Sequence, residues 1–179
     1  DIKKIDCSVV TIGSFDGMHH GHLEIIKELK FIGDNKNLQS VVVTFDPHPK
    51  YVLDNKNRNN WRLLTSTKKK LDLIREKGVD FVWVIPFDIN FSRILAREFL
   101  DQYIIKYFNP KDIIIGYDHH FGFARRGDAE FLKDNQALYN YQLHEKEPVT
   151  IDGKPVSSSQ IRQYLYSGNI KSANQFLGW

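Results

Sequence analysis

His19 and His22 carry the clearest chemical signal because of the residues around them, Ser8-Val-Val-Thr-Ile-Gly-Ser-Phe-Asp-Gly-Met-His-His-Gly-His22. Two imidazoles three residues apart fall on one face of a first helical turn, where both can donate to the same chain of phosphate oxygens. The β-branched run Val9 to Ile12 suits a buried parallel strand, and Leu23, Ile26 and Leu29 then recur at helical spacing. The histidines therefore sit where a strand hands over to a helix. Unpaired backbone N–H groups and the positive end of the helix dipole gather there and favour anionic oxygens. Gly13 and Gly17 let the backbone of the loop Gly13-Ser14-Phe15-Asp16-Gly17 turn tightly, and Gly21 leaves room for a nucleotide to lie close.

A second anion clamp is offered by Val156-Ser-Ser-Ser-Gln-Ile-Arg162. Ser157, Ser158 and Ser159 supply three hydroxyls at a fresh helix start, where serines also serve as plain N-caps. Arg162, one turn on, can fork two oxygens of a phosphate. Other phosphate loops are not supported: no G-x-G-x-x-G follows a strand and no G-x-x-x-x-G-K-[ST] occurs. A zinc site from His19, His20 and His22, the basis for a zinc-dependent hydrolase, is the weaker rival. Adjacent histidines point different ways on a helix, the chain has a single cysteine, and no H-E-x-x-H or paired C-x-x-C is present.

The elements that must hold these residues alternate. Strand-like runs at Val9 to Ile12, Val41 to Phe45, Phe81 to Ile85 and Ile113 to Ile115 are separated by helical patterns. Those patterns are clearest at His22 to Lys30, Thr67 to Lys77, Ser92 to Phe108 and Asp128 to Tyr141. This predicts an α/β fold with a mainly parallel sheet flanked by helices. In the third helix Leu95, Phe99, Tyr103 and Tyr107 are expected to form one core-facing stripe, with Asn109-Pro110 at its end. Lys68-Lys69-Lys70 reads as a solvated helix face, Asn55 to Asn60 as a surface excursion, and His144 and Cys7 as structural. Ligands of such sheets lie beyond the carboxyl ends of the strands. Loops from Gly13, Asp46-Pro-His-Pro49, Pro86-Phe-Asp88 and Gly116-Tyr-Asp118 are therefore expected to converge on one crevice.

The chain has 179 residues, enough for one ordinary domain with a substantial core. Its 25 Lys and Arg nearly cancel its 22 Asp and Glu, so the balance calls for neither nucleic acid nor a membrane. No secretory signal or membrane-length apolar run appears. The lone Cys7 cannot form an internal disulfide, which fits a reducing cytoplasm. A start at Asp1 and a stop at Phe176-Leu-Gly-Trp179 read as an excised domain.

The motifs together are specific. Gly13 to His22, Thr44-Phe-Asp-Pro-His-Pro49, Gly116-Tyr-Asp118 with Phe121-Gly122 and Arg126-Gly-Asp128, and Ser157 to Arg162 resemble the adenylyltransferase module of prokaryotic flavin adenine dinucleotide synthetase. That family lies within the nucleotidylyltransferase superfamily, and the resemblance covers nearly the whole chain. It implies a Rossmann-like nucleotidylyltransferase fold and transfer of AMP from ATP to FMN, giving FAD and pyrophosphate, with Mg²⁺ carried by ATP and no separate protein metal site. It implies catalytic roles for His19, His22, Ser158 and Arg162. ATP contacts would come from Gly13, Ser14, Phe15, Asp16, Gly21, Gly116, Asp118, Ser157 and Ser159. Flavin contacts would come from Asp46, Pro47, His48, Phe87, Phe121, Phe123, Arg125 and Arg126, although packing is an equal reading of the two phenylalanines at 121 and 123. Residues 1–179 would form the whole transferase domain, and a riboflavin kinase module would follow it. Departures from the family pattern are Val156 for isoleucine, Lys50 for arginine, and His119-His120 for an aromatic and a basic residue. Two other readings of the residues stay open: an adenylyltransferase for a different phosphate acceptor, and a non-catalytic flavin or nucleotide sensor.

Overall fold

The computed structural model describes residues 4–54 and 61–179; the excursion expected at 55–60 lies outside them. Five strands, β1 (Ser8–Ile12), β2 (Gln39–Asp46), β3 (Phe81–Pro86), β4 (Pro110–Gly116) and β5 (Gln142–Lys146), form an all-parallel sheet in the order β3-β2-β1-β4-β5. Period-two alternation divides the core between its faces. Val10, Ile12, Val41, Val43, Ile113 and Ile115 belong to one cluster, and Val9, Val42 and Ile114 to the other. The second face is covered by α1 (His20–Lys36) through Ile26, Leu29 and Ile32, and by α3 (Thr67–Glu76) through Leu73 and Ile74. The first is covered by a helical run ending at Phe108 and by Leu132 of α6 (Ala129–Tyr139). Burying each such Val, Ile or Leu contributes about 1.5–3 kcal/mol.

Short elements complete the chain: α2 (Pro49–Leu53), an antiparallel pair β6 (Thr150–Ile151) and β7 (Lys154–Pro155), and the C-terminal helices α7 (Ser158–Tyr166) and α8 (Ile170–Leu177). Val156, Ile161, Ala173 and Phe176 pack α7 and α8 into a third small core.

Three sequence expectations need correction. The helix expected over Ser92 to Phe108 is a 3₁₀ turn (Phe91–Arg93), then α4 (Ala96–Phe99), a π segment (Leu100–Ile105) and α5 (Lys106–Phe108). Leu95 precedes α4 in an extended conformation and is 56 % exposed, so it leaves the stripe. Phe99 is buried and Tyr103 and Tyr107 pack beside it, because the wider i→i+5 turn realigns a four-residue spacing. Lys70 is not solvated: it shares the buried face of α3 with Leu73 and Ile74. Finally, β5 is absent from the sequence reading. Its segment Gln-Leu-His-Glu-Lys is polar because it is an edge strand, paired only to β4.

His144 is structural as expected. Its Nε2 and the Lys36 Nζ both lie 2.6 Å from Oδ1 of the buried Asp112, tying β5 and α1 to β4. Cys7 is exposed.

Candidate active site

In the order β3-β2-β1-β4-β5 the chain direction of growth reverses between β1 and β4, and the crevice of an open parallel sheet lies at that switch point. The loop after β1 feeds α1 there. His19 is the N-cap of α1, its Nδ1 accepting the His22 backbone N–H at 3.4 Å. The two rings stack with centroids 3.7 Å apart and planes 16° apart. The Phe15 ring meets the His22 ring edge-on at 5.2 Å. Phe15 and Met18 both hold positive φ, 50° and 41°, a conformation costing a non-glycine residue about 1–3 kcal/mol. Their complete burial holds the loop in that shape.

Burial drives the His19 pKa down from 6.5 to about 4, with His20 and Arg162 adding to the shift. Burial, His19 and Lys70 likewise hold His22 well below the ordinary value. Both imidazoles are therefore neutral at pH 7, each with one N–H to donate. His22 Nδ1 is buried and has no partner among the described residues. A buried polar atom at a helix N-terminus without a partner is set to meet a ligand. For a histidine whose folded pKa is depressed, the unfolded chain binds more protons between the two pKa values, so stability rises with pH there. The melting temperature is accordingly expected to fall as pH drops from 6.5 towards about 4, and a His19→Asn variant should show a shallower dependence in thermal scans.

The start of α7 faces the start of α1. Ser157 is its N-cap, with Oγ accepting the Gln160 N–H at 3.2 Å. Ser158 Oγ donates to the Asp16 carbonyl at 2.8 Å, linking α7 to the first loop. Neither helix has an acidic residue in its first turn, so both positive ends are left for an outside anion. Between them opens a cavity of about 170 Å³ lined by His19, Gly21, His22, Gly116, Asp118 and Ser157 to Ser159. A Cβ on Gly21 would stand 3.3 Å from the His19 ring, a tight contact that would press the ring aside. Tyr117, between Gly116 and Asp118, lines the same cavity, as do Glu24 and Ile25 of α1 and the stretch Lys146 to Val149, which the sequence reading passed over. No motif marks Glu24, Ile25 or Lys146 to Val149, and the last reach the cavity because β5 ends beside β4.

Asp16 and Arg162 pair outside the lining of this cavity. The Arg162 Nη2 donates to Asp16 Oδ2, its Nε donates to the Arg62 carbonyl at 2.9 Å, and its guanidinium lies 4.3 Å from the centre of the Trp61 ring. Asp16 Oδ1 also accepts the N–H groups of Leu64 and Thr65 at 3.0 and 3.2 Å. Trp61, which the sequence reading passed over, packs against His48 as well, at 4.7 Å.

The loop after β2 forms a second, smaller cleft with the first. Ser14, Asp16, Phe45, Asp46, His48, Thr67 and Lys70 line it. His48 caps α2, its Nδ1 accepting the Lys50 N–H at 3.1 Å, and burial with Arg162, Lys70 and Lys50 lowers its pKa to about 4. Asp46 Oδ1 accepts the Thr67 hydroxyl at 2.7 Å, and the Asp46–Pro47 peptide is cis. Thus the four expected loops do not share one crevice. The β1 and β4 loops line the larger cavity and the β1 and β2 loops the smaller, while Phe87 lines neither and packs against Phe45 and Phe91.

Phe121 and Phe123 part company. Phe121 is buried against Phe99 and Phe131, whereas Phe123 is 48 % exposed. Arg125 reaches His120 Nδ1 at 3.0 Å and Arg126 is exposed. Phe121→Ala is expected to lose about 3–5 kcal/mol of stability. Phe123→Ala should stay within about 0.5 kcal/mol of the wild type, so in it a flavin titration reads binding alone. Equal destabilisation in denaturant melts would contradict this division.

A family model described as FAD synthetase matches residues 1–160. The chain belongs to the FAD synthetase family. It is 35 % identical to the bifunctional riboflavin kinase/FMN adenylyltransferase of Buchnera aphidicola subsp. Schizaphis graminum, the match covering 99 % of this chain and 57 % of the relative. It is 33 % identical to the protein of the same name from Listeria monocytogenes, covering 100 % and 55 %. This chain thus spans slightly over half the length of the curated relatives it matches. A solved structure titled macrolide-efflux protein, from Streptococcus pneumoniae, superposes with a TM-score of 0.87 at 30 % identity, over 99 % of this chain and 57 % of that one. The pantoate-beta-alanine ligase of Francisella tularensis superposes with a TM-score of 0.60 at 14 % identity, over 100 % and 72 %, a likeness of fold alone. The fold is therefore the nucleotidyltransferase-like α/β architecture expected from the motifs. No helix among the described residues is long and apolar enough to cross a membrane.

Proposed function

We propose that this domain transfers AMP from ATP to FMN, forming FAD and pyrophosphate. One observation carries the reading: two helix N-termini, the unpartnered His22 Nδ1 and three serines converge on a single cavity at the β1/β4 switch point, in a chain of the FAD synthetase family. In the reaction an FMN phosphate oxygen bonds to the α-phosphorus of ATP as the bond to the β-phosphate oxygen breaks, and the electron pair leaves with pyrophosphate. Positioning and charge stabilisation suffice for such a step. His19 and His22 would donate N–H groups to the triphosphate, Ser157 to Ser159 would hold it at the α7 N-terminus, and Asp118 would hold the adenosine ribose. Asp46 and His48 would face the flavin phosphate across Ser14 and Asp16.

Magnesium would enter with the triphosphate and neutralise the charge that builds on pyrophosphate. Among the described residues no group of three or more His, Cys, Asp and Glu side chains is set to hold a metal ion. Mg²⁺ commonly binds through substrate phosphates and waters with one or two carboxylates, a role for which Asp118, Glu24 and Glu147 at the cavity wall are available. We further propose a cytoplasmic setting and, in the full-length protein, a covalently linked riboflavin kinase module like that named in the relatives. The test is direct: incubation with FMN, ATP and Mg²⁺ followed by chromatography should yield FAD, and its absence would overturn the assignment. Riboflavin with ATP should yield no FMN, since every matched motif lies between Gly13 and Arg162.

A further inference from the structure

Lys70 occupies an unusual place for a lysine. It is 5 % exposed on the inner face of α3, and its Nζ reaches the Ser14 carbonyl at 3.0 Å, the Thr44 hydroxyl at 2.9 Å and the Phe45 carbonyl at 3.2 Å. An ammonium has three protons and these are three acceptors, so no donor remains for a ligand. None of the three is a carboxylate. Asp46 and Asp16 favour the charged form from nearby, while burial opposes it. A desolvated cation held entirely by neutral acceptors is costly to bury, and nothing in the hydrophobic packing of α3 requires it.

The acceptors explain its value. Ser14 belongs to the loop that leads from β1 to His19, whereas Thr44 and Phe45 lie near the end of β2, just before Asp46-Pro-His-Pro49. Thr44 Oγ1 also donates to the Ser14 carbonyl at 3.3 Å, closing a small network around the ammonium. One side chain thus ties the triphosphate-side loop to the acceptor-side loop from the wall of the smaller cleft.

We propose that Lys70 is a positioning residue that sets the separation and angle of the nucleotide and acceptor loops, and so the in-line geometry of transfer. This rests on the reaction proposed above. It acts through Ser14 and Phe45, since all three of its ammonium protons are taken up by protein acceptors. Misplacement of reacting groups by about 1 Å can cost 10²-fold in rate. Loss of the tie should therefore lower kcat far more than it weakens either substrate alone.

The test compares Lys70→Met, which keeps an unbranched chain one atom shorter and removes the three donors, with Leu73→Ala, a cavity variant on the same buried face of α3 that leaves the ammonium in place. Lys70→Met is expected to lower kcat at least about tenfold, with KM for ATP and FMN each changed less than about threefold. Leu73→Ala should lower the melting temperature yet keep the wild-type kcat. Thr44→Val, which removes one acceptor, should show the same kcat-weighted pattern in smaller degree. Equal kcat in Lys70→Met and Leu73→Ala would overturn the proposal. A readout independent of turnover is hydrogen exchange: amides of 13–18, 44–46 and 48 should exchange faster in Lys70→Met, with those of α6 unchanged. Unaltered exchange in both loops would also overturn it. Failure of the wild-type protein to make FAD would instead remove the functional reading, leaving the loop tie to be judged by exchange.

Discussion

Replacing His22 by alanine is expected to lower adenylyl transfer by about two orders of magnitude or more, the usual consequence of removing a preorganised donor from a developing charge. The expectation comes from geometry. His22 Nδ1 is buried and has no partner among the described residues, while its backbone N–H does the capping work with His19. The ring also stacks on His19 and meets Phe15, and that packing accounts for a small loss of stability in the variant. His20 is the natural control, because its ring lies beside Gly178 and outside the cavity wall. Initial rates of FAD formation, with melting temperatures measured alongside, decide the matter. Near-wild-type turnover in His22→Ala would remove this residue from the catalytic set.

Arg162→Lys is expected to be severe in a different way, by disturbing fold and site together. Lysine preserves the charge beside Asp16, which is 3 % exposed and also accepts the Leu64 and Thr65 N–H groups. It cannot preserve the planar fork. The Arg62 carbonyl loses the Nε–H at 2.9 Å, and the flat contact with Trp61 is lost as well. An unsatisfied partner in this setting costs about 1–3 kcal/mol. Because Asp16 also carries the carbonyl that holds Ser158, slack in this pair reaches the α7 N-terminus. Denaturant melts should show that loss, and turnover should fall with it. Wild-type stability and kinetics in the variant would place Arg162 outside both roles.

The contrast between these two residues shows which parts of the site can be read from a chain of letters. His22 was legible because its neighbours in sequence are its neighbours in space: a strand, a glycine turn and a helix start occupy consecutive positions, and local geometry alone aims the imidazole. The same holds for Ser157 to Ser159. Arg162 was legible as a cation near phosphate, yet its bond to Asp16 spans 146 positions and no local pattern announces it. Trp61 carries no periodic signal at all, and its position between Arg162 and His48 emerges only once the loops are folded.

Hydrophobic periodicity, turn chemistry and helix-start residues act within a few residues, and they determined the alternating α/β order, four of the five parallel strands, the two helix N-termini and the family. Tertiary structure decided the rest. It chose β5 as a strand although its residues are polar, because an edge strand needs only one pairing partner. It turned Phe121 inward and left Phe123 in solvent, through the contacts of Phe99 and Phe131 with the former. It divided the expected crevice in two. It also took the third lysine of Lys68-Lys69-Lys70 out of water. Three adjacent lysines look alike in sequence, but successive residues of a helix point about 100° apart, and only the one aligned with Leu73 and Ile74 is carried beneath α3 to the carbonyls of two loops that the sequence keeps 30 residues apart.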